Sequence, residues 1–245
     1  MQNVIISGGS SGIGEAITKK FLEHGYAVFN LDLKNNKTFS SYKNYYWHEI
    51  NVTKKDKLKN LIDKIASTNT INILVVNAGR HLSANIENTS DEDLEQLLNL
   101  NLLSAYYLIQ FSITHMKNSG GNIITLGSDQ SLIAKNNSTV YGMTKAALAS
   151  LTKSIALDYS KYNISANCIA AGTIDTPLYQ AAIKRYSDKS GIALAEIEKS
   201  EANEQPIGRI GESCEVAELV YFLAQNKVKY LTGAIIPIDG GYTTK

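Results

Sequence analysis

Three residues in one stretch of this chain are spaced for acid–base chemistry on an oxygen atom. Tyr141 and Lys145 lie four residues apart in a segment with helical periodicity, so their side chains project from the same helix face. A phenol has a pKa of ~10, and a neighbouring ammonium group is expected to lower it towards the working range. Ser128 ends the preceding apolar strand, where its hydroxyl can contact the oxygen that Tyr141 protonates. These side chains predict proton transfer to and from a carbonyl or alcohol oxygen.

The same spacing has a purely structural interpretation, because tyrosine and lysine fall four residues apart by chance in many helices. The surrounding elements therefore matter. Residues 121–126, GNIITL, predict a short strand before Ser128. Residues 139–162 predict a helix whose apolar stripe contains Ala146, Leu148, Leu151, Ile155 and Leu157.

The N-terminal segment has the pattern of a strand, a glycine-rich turn and a helix that ends near Gly25. Gly8, Gly12 and Gly14 allow the backbone to approach a ligand closely, and the helix N-terminus offers free N–H groups. Together these features suit a pyrophosphate. The spacing is Gly-x-x-x-Gly-x-Gly, and a structural turn without a ligand is the alternative.

An acidic residue ends the second predicted strand, YAVFNLD. Asp32 lies eighteen residues after Gly14, where a carboxylate can accept hydrogen bonds from both ribose hydroxyls and repel a 2′-phosphate. This arrangement favours NAD over NADP as the cofactor. A surface turn is the alternative role for Asp32, and the nearby Lys34 is expected to soften the preference.

Length and composition exclude several classes of protein. A chain of 245 residues fits one domain. A net charge of +1 with a pI near 7.7 does not indicate a surface that binds nucleic acid or an anionic membrane. We find no apolar run long enough to span a membrane and no signal peptide. The two cysteines, Cys168 and Cys214, predict reduced thiols in a cytoplasmic protein, and no residues have metal-ligand spacing.

Predicted strands and helices alternate along the chain, which indicates an α/β fold with a doubly wound parallel sheet in a single domain. The third strand, YYWHEINVT, is expected to end at Asn51 and Val52, and the continuously apolar fourth strand ends in Asn77-Ala78-Gly79. A long helix capped by Ser90 carries Asn101 in its apolar interior. Asn101 either takes part in the chemistry or bridges neighbouring backbone groups.

These motifs resemble the short-chain dehydrogenase/reductase family of about 250 residues, and the resemblance covers essentially the whole chain. The matching residues occur in the family's order: Ser7-Gly8-Gly9-Ser10-Ser11-Gly12-Ile13-Gly14, Asn77-Ala78-Gly79, Asn101, Ser128 thirteen residues before Tyr141, Lys145 and Asp239-Gly240-Gly241. The resemblance implies a Rossmann-type, seven-stranded sheet and a homotetramer. It also implies hydride transfer between NAD(H) and a small secondary alcohol or ketone.

The resemblance also implies a role for each matching residue. The catalytic tetrad would be Asn101, Ser128, Tyr141 and Lys145, with Tyr141 as the acid–base and Asn101 placing a water molecule. The cofactor would contact Gly8, Ser10, Ser11, Gly12, Ile13, Gly14, Asp32, Asn51, Val52, Asn77, Ala78, Gly79, Tyr141, Lys145, Ile174 and Thr176. The substrate would contact Ser128, Gln130, Tyr141 and Tyr179. No metal is implied.

The chain departs from the family pattern at two cofactor positions. Asn51 stands where the family has an aspartate against the adenine, and an amide keeps an acceptor oxygen. Ala171 stands where the family has proline, and the loss of that fixed φ is expected to loosen the loop on the nicotinamide side.

The substrate lid is expected at about residues 177–206, a polar segment with no continuous apolar face. It is similar to the lid of bacterial 3-hydroxybutyrate dehydrogenases, but Gln130 and Ser138 replace the histidine and lysine that hold the carboxylate there. A 3-hydroxy acid dehydrogenase remains an alternative because Arg80, His81 or Lys135 can supply charge.

Three further hypotheses stay open at the level of sequence. One is an NADP-dependent carbonyl or 3-oxoacyl reductase. The second is a dinucleotide-sensing protein without turnover, against which the complete tetrad argues. The third is a scaffold subunit, which would be expected to carry an unusual basic or apolar extension.

Overall fold

The computed structural model describes residues 1–225 and 227–244 and shows a single α/β domain around one parallel sheet. Seven strands form the sheet in the order β3-β2-β1-β4-β5-β6-β9, and β7 pairs with β8 in a separate short ribbon. The strands are β1 (Asn3–Ser7), β2 (Ala27–Asp32), β3 (Tyr45–Glu49), β4 (Ile73–Val76), β5 (Gly121–Leu126), β6 (Ile164–Ala171), β7 (Ile174–Asp175), β8 (Gly211–Glu212) and β9 (Ile235–Ile238). The predicted seven-stranded, doubly wound sheet is confirmed.

Helices cover both faces of the sheet. They are α1 (Gly12–Glu23), α2 (Lys55–Ala66), α3 (Asp91–Leu97), α4 (Ser104–Met116), α5 (Thr139–Tyr159), α6 (Pro177–Ser190), α7 (Leu194–Glu204) and α8 (Ser213–Ala224). Alternate residues of β1 enter different cores: Ile5 packs with the side chains of α2, α4 and α5, whereas Val4 and Ile6 pack with those of α1 and α8. Burial on both faces explains why the central strands are apolar throughout.

The strand order reverses between β1 and β4, which places a crevice at the carboxyl ends of these two strands. The glycine turn after β1, the loop after β4 and Ser128 after β5 all lie at this edge. The fold therefore gathers segments that are far apart in the chain.

The predicted long helix after Ser90 contains a π-helical turn that periodicity did not reveal. Ser90 caps the helix by accepting a hydrogen bond from the Asp93 N–H, as expected. The π turn covers Leu98–Leu103 and separates α3 from α4. The extra residue in such a turn shifts the side chains locally, and Asn101 lies within it.

Two predictions about helix faces and strand ends were wrong. On α5, Leu148, Leu151 and Ile155 face the protein, but Leu157 is 80% exposed and Ala146 is also exposed. Small polar residues such as Thr144 and Thr152 are buried in their place, because α5 packs closely against β5 and its following turn. β3 ends at Glu49 and not at Asn51 and Val52.

The segment predicted as a lid forms two helices, α6 and α7. Thr176 caps α6 through a hydrogen bond from the Tyr179 N–H at 3.1 Å, and Gly191 ends it with φ of 76°. Only Ile183 of α6 and Ile197 of α7 are buried, which agrees with the expected lack of a continuous apolar face. No helix among residues 1–225 and 227–244 has the length and hydropathy needed to cross a membrane.

Candidate active site

The glycine turn after β1 is packed so tightly that a side chain does not fit at Gly14. A Cβ at Gly14 would lie 1.9 Å from the Gly8 carbonyl oxygen, and Gly8 has φ of 70°. The Asn77 side chain donates a hydrogen bond to the same carbonyl at 2.8 Å, which joins the loop after β4 to the turn. The first turn of α1 is thereby held against the crevice with its N–H groups facing outward, a cradle that fits a pyrophosphate.

A buried amide in β2 supports this turn and was not identified from the sequence. Asn30 accepts a hydrogen bond from the Gly9 N–H at 2.9 Å, and Thr18 donates to the Gly9 carbonyl at 3.0 Å. The signal was a single asparagine inside the apolar strand AVFNLD, because a buried amide must have partners.

Asp32 lies at the carboxyl end of β2 beside the glycine turn. Its two carboxylate oxygens accept hydrogen bonds from the Ser10 N–H and the Lys34 N–H, both at 3.1 Å. The next residue is the exposed Leu33, which brings no positive charge for a 2′-phosphate. The acidic end of β2 therefore fits the ribose of a dinucleotide that lies along the turn.

The remaining predicted cofactor positions have different environments. Asn51 is exposed and its oxygen accepts hydrogen bonds from Thr53, whereas the Val52 side chain is buried in the core. Thr176 lies over the turn, because a Cβ at Gly12 would be 3.2 Å from Thr176 Cγ2. Ala171 pairs with Ile238 inside the sheet, so backbone hydrogen bonding and not proline restrains this position.

Ser128, Tyr141 and Lys145 come together at the carboxyl end of β5. Lys145 Nζ donates a hydrogen bond to the Leu126 carbonyl at 2.7 Å and lies 5.6 Å from the centre of the Tyr141 ring. Ser128 and Lys145 are only 6% and 7% exposed, so solvent screens their charges and hydrogen bonds poorly. A carbonyl or alcohol oxygen that reaches this point meets two hydroxyl groups and one amine.

Burial changes the proton affinities of the pair. Desolvation raises the pKa of Tyr141 to about 12, although contact with the Ser128 hydroxyl opposes the rise. Desolvation lowers the pKa of Lys145 to about 8. The sequence predicted that the neighbouring ammonium group lowers the pKa of Tyr141, and this was wrong. The cost of removing the phenolate from water outweighs its attraction to an ammonium group. Tyr141 holds its proton at neutral pH and is therefore set to act as an acid.

Asn101 bridges backbone groups, as the structural alternative anticipated. Its side chain accepts a hydrogen bond from the Arg80 N–H and donates one to the Arg80 carbonyl, both at 2.9 Å. It also lies 3.3 Å from the Thr144 hydroxyl on α5. The π turn thus connects the loop after β4 to the helix that carries Tyr141.

A buried carboxylate beside Ser128 was not recognised from the sequence. Asp129 is 2% exposed, and Ser128 Oγ donates a hydrogen bond to Asp129 Oδ1 at 2.7 Å. Lys135 Nζ lies 2.7 Å from the other carboxylate oxygen and 4.2 Å from the centre of the Tyr242 ring. The only sequence signal is an acidic residue directly after the serine that ends the predicted strand, in a stretch without helical or strand periodicity.

One aromatic side chain contacts Tyr141 directly, and two predicted substrate residues carry unpartnered polar atoms. The His81 ring packs edge-on against the Tyr141 ring at 4.8 Å, and burial followed by the charges of Arg185 and Lys135 lowers the pKa of His81. Gln130 Oε1 and the Tyr179 hydroxyl are buried without a hydrogen-bond partner among the described residues. Unsatisfied buried polar atoms of this kind are rare, and a polar ligand or a water molecule can satisfy them.

Comparison with known proteins gives the chain clear relatives. The family described as enoyl-(acyl carrier protein) reductase matches residues 8–243. L-fucose dehydrogenase from Rattus norvegicus is 35% identical over 244 residues, covering 97% of this chain and 88% of the relative. A short chain dehydrogenase family protein from Francisella tularensis superposes with a TM-score of 0.93 at 37% identity over the full length of both chains.

Two further solved structures are similar to this chain. Aldohexose dehydrogenase from Thermoplasma acidophilum is 33% identical with a TM-score of 0.90, covering all of this chain and 94% of the other. The NADP-bound protein ElxO is 30% identical with a TM-score of 0.89, covering 100% and 99% of the two chains. Both structures share the fold of this chain.

Proposed function

Because this chain belongs to the short-chain dehydrogenase/reductase family of NAD(P)-dependent oxidoreductases, we propose that it transfers a hydride between NAD(H) and a small, neutral secondary alcohol or its carbonyl product. The observation that carries this proposal is the convergence of Ser128, Tyr141 and Lys145 at the crevice beside the glycine turn. A location in the cytoplasm remains a prediction from the sequence.

Each residue of the proposed site has a separate task. Tyr141 exchanges a proton with the substrate oxygen, and Ser128 orients that oxygen by hydrogen bonding. Lys145 places an amine beside Tyr141, and a hydrogen bond from its Nζ to the Leu126 carbonyl fixes its position. Asn101 holds the loop after β4 in place and lies where a water molecule can connect the site to solvent.

The cofactor proposed for the crevice is NAD. The turn from Gly8 to Gly14 would hold its pyrophosphate, Asp32 its adenosine ribose, and Ile174 with Thr176 its nicotinamide end. When bound, this cofactor supplies the hydride acceptor or donor, which no side chain provides. The preference for NAD over NADP is supported by the Asp32 carboxylate and by Leu33 in the following position.

Arg80, Lys135 and His81 offer little charge to a hydroxy acid, and this favours a neutral substrate. Arg80 pairs with Asp93 at 2.5 Å and Lys135 with Asp129 at 2.7 Å, so both cations have carboxylate partners. His81 has a lowered pKa and is therefore uncharged at neutral pH. The three groups that were candidates for holding a substrate carboxylate are thus neutralised or engaged, and this weakens the 3-hydroxybutyrate-like alternative.

A sugar is the substrate that these features and the relatives together support. The unpartnered Gln130 and Tyr179 side chains offer hydrogen bonds to a hydroxyl-rich molecule. We expect NADH formation, followed by its absorbance, with L-fucose or an aldohexose and little with 3-hydroxybutyrate. A 3-oxoacyl thioester reduced faster than either sugar is oxidised would favour the acyl reductase alternative. No turnover of any alcohol, hydroxy acid or carbonyl in the panel would favour a dinucleotide sensor.

We infer that α6 and α7 form a lid that packs fully only over a bound substrate. Each helix buries one isoleucine, so few apolar contacts oppose local unfolding. Trypsin sites at Lys184, Arg185, Lys189 and Lys199 are exposed on these helices. Cutting there should be fast in the protein alone and several-fold slower with cofactor and substrate together.

The control for this proteolysis is built into the chain. Lys57 is also exposed but lies on α2, whose buried face packs into the core, so cutting there should be slow in both states. Equal rates of cutting in the lid with and without ligands would show that α6 and α7 form a fixed wall.

We also propose a homotetramer, in keeping with the family. The outer faces of the π turn, α4 and α5 carry exposed apolar side chains, among them Leu103, Tyr106 and Leu157, at 40%, 44% and 80% exposure. Association of two copies through these helices would remove such side chains from water. Light scattering should then report four times the 26.8 kDa of one chain, whereas a single-chain mass would contradict the proposal.

A further inference from the structure

The Asp129 carboxylate lies one hydrogen bond beyond the group that meets the reacting oxygen. Ser128 Oγ, which would contact that oxygen, donates to Asp129 Oδ1 at 2.7 Å. In a molecule with hydroxyl groups on adjacent carbons, the second oxygen lies about one hydrogen-bond length from the first. A substrate held at Ser128 can therefore turn a neighbouring hydroxyl towards Asp129.

The second oxygen of this carboxylate has an unused acceptor position. Asp129 Oδ2 is buried and makes an ion pair with Lys135 at 2.7 Å, but it accepts no aligned hydrogen bond from the described residues. A buried carboxylate needs several donors to offset its lost hydration, and one ammonium contact supplies only part of them. A hydroxyl donor from a ligand is the group that completes this arrangement.

Lys135 can serve the same hydroxyl group as a donor. An ammonium group has three hydrogens, and the Lys135 ammonium group contacts the Asp129 carboxylate on one side. The centre of the Tyr242 ring lies 4.2 Å from the same nitrogen. The Lys135 side chain is 24% exposed, compared with 3% for Asp129, so it lies on the open side of the pair. The charge of Lys135 also reaches His81 beside Tyr141 and Glu201 of α7. The pair thus lies between Tyr141 and the lid.

We propose that Asp129 and Lys135 form a subsite for a hydroxyl group on the carbon next to the one oxidised, with Asp129 accepting its hydrogen and Lys135 donating to its oxygen. This pair makes the enzyme selective for vicinal diols, a class that includes sugars. The inference rests on the proposed function, because it needs the reacting oxygen at Ser128 and Tyr141. It adds a requirement for a second hydroxyl that acid–base chemistry alone does not have.

The test compares matched alcohols that differ by one hydroxyl group. The probes are D-glucose and 2-deoxy-D-glucose, L-fucose and 2-deoxy-L-fucose, and cis-1,2-cyclohexanediol and cyclohexanol, each assayed with NAD. A hydrogen bond to a charged group predicts a kcat/KM for the diol that exceeds that for its deoxy partner roughly ten- to hundredfold. In Asp129→Ala the two values should agree within about threefold, because the loss falls on the diol alone.

Two further variants separate recognition from folding. Lys135→Met should also reduce the diol preference, and it alters the more exposed partner, so it is expected to fold even if Asp129→Ala does not. Lys57→Met removes an exposed lysine from α2 and should leave the preference unchanged. Thermal melting and NADH binding check that each variant is folded.

The outcomes distinguish the inference from the function on which it rests. A structural role for Asp129 would lower both members of each pair equally and leave their ratio unchanged, which would overturn the subsite. Wild-type protein that oxidises cyclohexanol as well as the diol would also overturn it while leaving the proposed dehydrogenase intact. Protein that oxidises none of the six probes would overturn both the subsite and the proposed substrate class.

Discussion

Replacement of Tyr141 by phenylalanine is expected to lower kcat by on the order of 10²–10⁴ while cofactor affinity stays nearly unchanged. The substitution removes only the hydroxyl that exchanges a proton with the substrate. The ring can keep its edge-on contact with His81 at 4.8 Å, and Lys145 keeps its hydrogen bond to Leu126. The neighbouring hydroxyl of Ser128 is a far weaker acid than a phenol and donates to Asp129, so it cannot replace Tyr141.

Initial rates with the best substrate, together with NADH titration, measure the two expected results separately. Tyr162→Phe is the matched control, because it deletes the same atom from a partly buried tyrosine just beyond the C-terminal end of α5. That control should keep wild-type turnover. A Tyr141→Phe enzyme that retained more than about a tenth of the activity would show that another group is the acid–base.

The pKa of about 12 for Tyr141 predicts how the rates of oxidation and reduction depend on pH. Carbonyl reduction needs the protonated phenol, which is the dominant form throughout the neutral range. Alcohol oxidation needs the phenolate, whose fraction grows as pH rises towards the pKa. The kcat/KM for oxidation should therefore increase with pH up to the limit of protein stability, whereas reduction should not.

Replacement of Asp32 by alanine is expected to remove most of the discrimination against NADP(H). Two unit charges 4 Å apart repel by about 4 kcal/mol at an effective dielectric constant of ~20, so the carboxylate should weaken NADP(H) binding by on the order of 10²–10³-fold. The substitution also removes the acceptor of the Ser10 and Lys34 N–H groups, which loosens the turn for both cofactors. The informative quantity is therefore the ratio of the two dissociation constants.

Fluorescence titration of NADH and NADPH against both proteins gives this ratio. Asp158→Ala, which removes an exposed carboxylate from the far end of α5, is the control for the change in net charge. It should leave the ratio unchanged. Equal or tighter binding of NADPH by the unmodified protein would show that Asp32 does not select the cofactor.

Local regularities in the sequence were sufficient to predict the strands and helices that hold the site. The strand, glycine turn and α1 were readable because their residues are adjacent and each has a steric reason, such as the 1.9 Å approach at Gly14. The relation between Tyr141 and Lys145 was equally local, because a helix places residues four apart on one face. The cap of the long helix at Ser90 follows from the same short-range hydrogen bonding.

The electrostatics of the site were decided only by tertiary structure. The sequence placed an ammonium group near Tyr141 and predicted a lowered pKa, whereas burial raises the pKa instead. It offered Arg80 and Lys135 as free cations, but Asp93 and Asp129 neutralise them. Each of these results depends on which segments fold against one another, and a linear pattern carries no information on desolvation.

The sequence by itself determined the chain's family, its doubly wound sheet and the positions of Ser128, Tyr141 and Lys145, because periodicity and motif spacing act over a few residues. Tertiary structure alone decided that Asn101 lies in a π turn and bridges Arg80, and that Asp129 is buried between Ser128 and Lys135. It also decided that Leu157 faces outward although it is apolar. The physical reason is that burial and pairing are set by the packing of distant segments, which bring together partners that no local pattern specifies.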